Sequence, residues 1–354
     1  MKIKLDQRGF SLIELMVATA LGLVVAYAVL QIYLAQTNIY KASNSQDLIL
    51  NTSNAVTNLV TPTLRSAGFF GCSSISTAIT NLNAGGPDPL GSFTLVPSMI
   101  AGYSGGASSF TLTQVNPAND TNASHWSPTL PSTLLGQVEQ GNDVIVVLGA
   151  APYSRPTPIT LIDASSSSFT LQSLNGNSIA AGQYGAVSDC VKSVLFQITS
   201  ATSTIITHAS GAGTLQNASS TFPVNFQVGS QFMPLQQTAF FVGQGHGGQS
   251  SLMRGVLNGS TWTIEPIVPG IEVMKIQYGI GANGVVTQYV AASAVTNWAQ
   301  VYAVRLGFLI SGQQGSGVFS TTSYTVLNTP VVVPNDGRLR HVFEITVNFR
   351  NALL

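Results

Sequence analysis

Three stretches of the chain carry residue types at spacings that chemistry uses. Gly102-Tyr103-Ser104-Gly105-Gly106 fits G-x-S-x-G, the turn that lifts a serine nucleophile above a hydrolase sheet. That turn must pass from strand to helix, and Gly105 to Ser109 is a poor helix start. The oxyanion-like Gly245-His246-Gly247-Gly248 also follows the serine, whereas such enzymes place it before. Gly279-Ile280-Gly281-Ala282-Asn283-Gly284 satisfies G-x-G-x-x-G. A dinucleotide site needs a helix next, to meet the pyrophosphate, but the strand-forming Val285-Val286-Thr287-Gln288-Tyr289-Val290 follows. A hairpin is expected there instead. His125, His208, His246 and His341 show no ligand spacing, and two cysteines are too few for structural zinc. No cofactor or metal is therefore expected. The third stretch, Gly9-Phe10-Ser11-Leu12-Ile13-Glu14, sets a lone carboxylate at the head of a long apolar run.

That run must be a helix. From Phe10 to Leu34 there is one formal charge, Glu14, and no proline, and ~20 apolar residues suffice to span a bilayer. The preceding Met1 to Gly9 carries Lys2, Lys4 and Arg8, which predicts a cytoplasmic N-terminus. An ordinary secretory signal is cleaved after its apolar segment. Here the candidate cleavage glycine, Gly9, comes before it, so the helix would survive processing. A carboxylate central in a membrane helix costs roughly 2.5–3.5 kcal/mol, and such residues are usually functional. Glu14 lies near the end of the span, where snorkelling lowers that cost.

The chain has 354 residues, with 13 Lys+Arg against 13 Asp+Glu and only 7% charged residues. Without residues 1–9 the balance becomes 10 against 12, since Lys2, Lys4, Arg8 and Asp6 leave. No basic patch of nucleic-acid type is present. The abundant Gly, Ser, Thr, Asn and Gln fit a β-rich exported protein with uncharged polar loops. Outside the cytoplasm the isolated pair Cys72 and Cys190 is most simply a disulfide, the alternative being two buried thiols.

Beyond the span, Ile39, Ala42, Ile49, Val56 and Val60 fall on a three-four spacing interrupted by Gln46 and Ser53. The helix is expected to end between Thr61 and Ala67, near Pro62 and Gly68. Cys72 to about Gly141 is loop-rich, with short strand candidates such as Phe110 to Thr113. After Gly141, Val144–Leu148, Ile159–Ile162 and Phe169–Leu171 are expected strands. Asn175-Gly176, Asn258-Gly259 and Asn283-Gly284 are placed like type I′ hairpin turns. Val301–Ile310 is a long apolar strand with Arg305 its one charge. In the last strand Phe343, Ile345, Val347 and Phe349 alternate with Glu344, Thr346, Asn348 and Arg350, so one face is buried. Arg338, Arg340 and His341 are expected at the solvated start of that strand, with an acidic partner as the alternative use.

The junction Arg8-Gly9-Phe10-Ser11-Leu12-Ile13-Glu14-Leu15-Met16 resembles the signal of type IV prepilins: basic leader, Gly, Phe, then Glu and an apolar helix. Three more stretches resemble the PilW family of minor pilins: Arg65-Ser66-Ala67-Gly68-Phe69-Phe70-Gly71-Cys72, Gly270-Ile271-Glu272-Val273-Met274-Lys275-Ile276-Gln277-Tyr278-Gly279, and Val347-Asn348-Phe349-Arg350-Asn351. Residues 73–240 match no motif of the family. The membrane helix also lacks the loosening proline common in major pilins, which weakens any expectation of shaft-like packing.

The resemblance implies an α+β, pilin-like fold. A long N-terminal helix, membrane-spanning in its first half, would pack on a predominantly antiparallel β-sheet domain with large loop-rich insertions. It divides the chain into a removed leader (1–9), a membrane half (10–34), a periplasmic amphipathic half (35–66) and a β-rich domain (67–354) with an insertion over roughly 73–240. Prepilin peptidase would cut between Gly9 and Phe10 and methylate the Phe10 amine, and Glu14 would pair with a neighbour's N-terminus. The chain would be a structural and assembly component, not an enzyme. Its implied partners are other minor pilins, the major pilin, a tip adhesin, and the inner membrane with its assembly platform. It would prime fibres for adhesion, twitching motility or DNA uptake and sit at the tip. Rival readings are a type II secretion pseudopilin and a membrane-anchored periplasmic enzyme or sugar-binding module using Trp126, Trp262 and Trp298.

Overall fold

The computed structural model describes residues 11–72, 78–85, 99–106, 110–112, 117–317 and 322–353. One helix, Leu12–Arg65, runs 54 residues, ~80 Å at 1.5 Å per residue. Ser11 caps its start, and Pro62 sits in its last turn. The Ser66 N–H donates back to the Pro62 and Leu64 carbonyls, and Gly68 at φ +73° carries the chain away. Two halves of this helix meet different surroundings. Residues 12–34 bury nothing within the chain, whereas Ser45, Ile49, Thr52, Ser53, Val56, Val60 and Leu64 form one buried stripe. Ser53 thus belongs to the packed face that the sequence reading had it interrupting. It fits because its hydroxyl donates to the Ile49 carbonyl at 2.9 Å, leaving no unmet donor. Ile39, expected on that face, is exposed because the helix passes under the domain only from Ser45 onward.

The stripe lies on a four-stranded antiparallel sheet in the order Val285–Val290, Ile271–Ala282, Val301–Ser311, Arg340–Asn348. The expected alternation in the last strand holds. Phe343, Ile345 and Val347 join the core shared with the helix, while Glu344, Thr346 and Asn348 face solvent. Asn283-Gly284, with φ +50° and +76°, closes the first hairpin as a type I′ turn.

A separate, larger sheet of thirteen strands is built around Gln231–Gln244. That strand pairs antiparallel with Tyr184–Ser188 and Thr157–Ile162 at its start, Val144–Ala150 at its middle and Ser250–Asn258 at its end. Its near-continuous apolar run, including Phe232, Met233, Phe240, Phe241 and Val242, is buried on both faces, as a central strand requires. In a third sheet Thr329–Val333 is central, antiparallel to Thr322–Val326 and parallel to Phe110–Thr111. Its turn residues Leu327 and Asn328 both have positive φ, a hairpin with no Asn-Gly to announce it.

Two turns differ from expectation. Asn175-Gly176 turns within a connection, because the strands on either side, Ser168–Leu171 and Tyr184–Ser188, pair with other partners. The hairpin at Asn258 exists, but Asn258 pairs with Thr261, so Gly259 and Ser260 make the turn. Cys72 is bonded to Cys190, which ties the segment after the helix to the turn between Tyr184–Ser188 and Ser193–Gln197. The whole is the expected α+β arrangement of one long apolar helix on a mostly antiparallel β domain. Among the described residues no second α-helix occurs.

Candidate assembly interface

At the head of the helix Ser11 and Glu14 form a capping box. The Ser11 N–H and hydroxyl donate to Glu14 Oε2 at 2.9 and 3.0 Å, and the Glu14 N–H donates to Ser11 Oγ at 3.3 Å. The carboxylate is therefore folded back toward the helix N-terminus. Gly9 and Phe10 lie outside the described residues. Along the following turns Leu12, Ile13, Leu23, Val24, Leu30 and Leu34 are each about half to three-quarters exposed. The segment is long and apolar enough to cross a membrane. A continuous apolar cylinder without a partner in its own chain is a surface for lipid or other helices.

The residues behind this interface hold the helix's second half to the sheets. Two of the stretches that carry the family resemblance, Arg65–Cys72 and Val347–Asn351, meet at that end. Asn351 Nδ2 donates to the Ala67 carbonyl at 2.9 Å, Phe349 is buried, and the Gly68 N–H donates to the Leu148 carbonyl at 2.8 Å. The two charges in Gly270 to Gly279 are internal. Glu272 takes Arg340 Nε and Nη2 at 2.6 and 3.0 Å, and Asp336 takes the same guanidinium through two contacts of 2.7 Å. Burial would lower the Arg340 pKa, but its hydrogen bonds to both carboxylates outweigh it and raise it. Burial would raise Asp336, but Arg340 and the Arg338 N–H hold it below the usual range. The expectation for Arg338, Arg340 and His341 is thus corrected. Only His341 is exposed, Arg340 is buried, and Arg338 donates to the Gly312 carbonyl at 3.1 Å.

Lys275 makes the second lock. Its Nζ lies 3.3 Å from Asp143 Oδ1 and donates to the Gly105 carbonyl at 2.7 Å, while the Gly105 and Ile276 N–H groups donate to the Asp143 carboxylate. Burial nevertheless pushes Asp143 up. Neighbouring Asn142 accepts from Trp126 Nε1 and from the Met274 N–H, so this corner stitches the two main sheets together. Nearby, Glu139 is buried with Ser250 donating to it at 3.0 Å, and burial pushes its pKa up to about 8. The sequence reading missed these groups. The available signal was two charges, Glu272 and Lys275, inside an apolar strand, since buried charges are nearly always paired.

The motifs that mimic catalysis are packing features. Ser104 lies within the strand Ile100–Gly105 and accepts from the Ala292 N–H at 3.0 Å. Its flanking glycines are there for close approach: a Cβ at Gly102 would come 2.1 Å from the Tyr278 hydroxyl, and one at Gly105 2.1 Å from the Asn142 carbonyl. Gly281 sits in the hairpin, where a Cβ would meet the Val285 carbonyl at 1.8 Å. Among the described residues no cluster of His, Cys, Asp and Glu could hold a metal. Trp126 is buried, Trp298 packs edge-on to Tyr278 at 4.9 Å, and Trp262 donates to Thr133 in a distant turn, so the tryptophans do not share one site.

A prepilin-type apolar helix, half free and half docked on an antiparallel sheet, defines a pilin-class protein. Residues 4–30 match the family model of the prokaryotic N-terminal methylation motif, and residues 239–351 match that of Type IV Pilus-assembly protein W. The PilW match takes in about a third of the chain and the methylation motif its start; together they support a minor type IV pilin, a structural protein. The second match opens within the strand Gln231–Gln244 and takes in the whole four-stranded sheet under the helix. No curated protein matches the chain. A solved type IV-like pilin from Thermus thermophilus is similar at 20% identity, over 50% of this chain and 87% of that one, with a TM-score of 0.23. That likeness is too loose to bear on the arrangement of this domain.

Proposed function

We propose that this minor pilin is processed between Gly9 and Phe10, is held in the inner membrane by residues 10–34 with its N-terminus cytoplasmic, and primes fibre assembly from a minor-pilin complex at the tip. The observation that carries the reading is the apolar half-helix, exposed along its length and headed by one carboxylate, Glu14, that is turned toward the N-terminus. Cleavage would expose a positive Phe10 amine about one helical turn from Glu14. That charge pair can form with a neighbouring helix only when both are aligned. A tip position follows from bulk. The domain after residue 66 has ~290 residues and a radius of gyration of roughly 19 Å. Helices bundled 8–10 Å apart would force such heads to splay in a shaft. Other minor pilins, the major pilin and prepilin peptidase are the partners of this reading, with a tip adhesin a further one. Intact-mass analysis of the protein recovered from sheared fibres tests it. A chain beginning at N-methylated Phe10, far scarcer than the major pilin, is expected; retention of residues 1–9 or near-equal abundance overturns it.

A further inference from the structure

A cleft of about 360 Å³ opens on the thirteen-stranded sheet, between the turn Ala151–Ser154 and the strands Gln231–Gln244 and Ser250–Asn258. Small-molecule sites start near this size, ~300 Å³. Its floor is apolar, with Pro234, Leu235 and Leu257 buried, and none of its lining residues carries a charge. Four amides line it: Asn177 is fully committed, to the Arg155 backbone and Thr157, and each of the other three commits one end to the protein. Gln183 Oε1 accepts from the Ala180 N–H, Gln236 Nε2 donates to Thr238, and Asn258 Nδ2 donates to Thr263. The other ends, one donor and two acceptors, are left for a ligand.

The lip of the cleft is the unusual part. The Ser154 N–H donates to the Ala151 carbonyl at 3.1 Å, closing a turn with Pro152 second and Tyr153 third. Tyr153 has φ +61°, the conformation that a type II turn reserves for glycine. A bulky residue there is strained, and such strain concentrates at functional positions. The Tyr153 ring gains nothing in return from packing, for its exposure is 101%. A large aromatic therefore stands in a glycine position, presented whole to solvent beside a neutral, amide-lined cleft.

We infer that this cleft binds a neutral saccharide, with Tyr153 as the stacking platform. Neutral sugars offer adjacent hydroxyls that donate and accept, which the free amide ends match. Their C–H faces are weakly positive and lie on the negative face of an aromatic ring. Phosphorylated or acidic ligands would find no cation among the lining residues, and a metal would find no carboxylate. Most of its lining precedes the part of the chain that matches the PilW family model, and Val256, Leu257 and Asn258 fall within it.

The test uses the full mature chain in a non-glycosidic detergent, such as an amine oxide. It is screened on an array of neutral and acidic glycans, then by saturation-transfer NMR with methyl glycosides of galactose, glucose, mannose and N-acetylglucosamine. At least one neutral sugar is expected to bind with a Kd of about 1 mM or tighter. Tyr153→Gly should weaken it by about tenfold or more while leaving the unfolding midpoint unchanged or raised, because glycine relieves the turn. Tyr153→Phe should keep the binding. Absence of any neutral-sugar binding, binding only of acidic glycans, or binding that Tyr153→Gly leaves intact would each overturn the inference.

Discussion

Residues 12–34 and 45–64 belong to one unbroken helix, yet burial does not follow their hydrophobicity. Leu23 is 72% exposed, while Ser45 in the polar half is wholly buried, taking the Gln313 N–H on its hydroxyl at 3.1 Å. What differs is the partner that each half meets. The second half has four strand segments of its own chain against it, Val144–Ala150, Thr261–Pro269, Val301–Ser311 and Arg340–Asn348. The first half has none, so its side chains are complementary to something outside the chain. Folding and assembly are thus carried by separate stretches of one element. The consequence is that substitutions in one stretch should leave the other's property alone.

Removing Arg340 should have the largest effect on folding. Arg340→Met strands Glu272 in the core without its cation, and breaking a buried pair in this way costs about 3–5 kcal/mol. The total for a domain is typically only ~5–15 kcal/mol. Denaturant titration followed by the fluorescence of buried Trp126 should show an early midpoint, and Arg340→Met with Glu272→Met should recover much of the loss. Equal loss in the single and double variants would mean that the pair contributes by shape and not by charge.

Next comes the direct comparison along the helix. Leu64→Ala should destabilise the domain by about 2–5 kcal/mol, the usual cost of a buried leucine. Leu23→Ala, at an exposed position of the same helix, should leave the domain's unfolding midpoint where it was. A matching shift from both would show the halves to be coupled in folding.

Much of this division was legible in the sequence. The apolar run from Phe10 to Leu34, with Glu14 its one charge, fixed the helix, and the alternation of Phe343, Ile345 and Val347 fixed the face it would meet. The reading of Ser53 as an interruption failed because a serine can satisfy itself on the carbonyl four residues back, so its polarity does not show in its burial. The strand Ile100–Gly105 was hidden for a different reason. Its glycines read as loop, yet they are small because Tyr278 and Asn142 press on them from distant parts of the chain. The partners of Arg340 and Lys275 were likewise out of reach. Asp336 is close in sequence to Arg340, but Glu272 is 68 residues away and Asp143 is 132 from Lys275, and no local pattern encodes such pairings.

A smaller effect, read as a slope, should come from Glu139. Its folded pKa of about 8 stands above the ordinary 4.5, so between those values the folded state holds a proton that the unfolded chain has released. Stability therefore falls as pH rises through that window, by at most about 1.4 kcal/mol per pH unit, and levels off above it. Asp143, also pushed up by burial, acts in the same direction. His208, lowered to about 4 by burial, acts oppositely, since stability is lost as pH falls below 6.5. Measuring between pH 6.5 and 8 avoids the histidine, and Glu139→Gln isolates the carboxyl. The variant should show a flatter slope than the parent, and identical slopes would remove Glu139 from the account.

Glu14 should have the least effect on the domain. Among the described residues its carboxylate hydrogen-bonds only with Ser11, and the domain begins to hold the helix more than thirty residues further on. Losing it can fray the first turn but not the packed stripe, so the domain midpoint should not move in Glu14→Ala or Glu14→Gln. The two variants nevertheless separate the roles that this carboxylate can play. Glutamine keeps an oxygen that accepts the Ser11 N–H, so the cap survives; it lacks the charge that would attract a neighbouring amine. Alanine removes both. If charge pairing aligns the helices, both variants should insert in the membrane and both should be depleted from complexes recovered with the other pilins, as quantified by mass spectrometry. If the glutamine variant is recovered at the parent's level and only alanine is depleted, the cap is what matters. Parent-level recovery of both would mean that the apolar surface alone drives assembly, and the separation between the two halves of the helix would then rest entirely on burial.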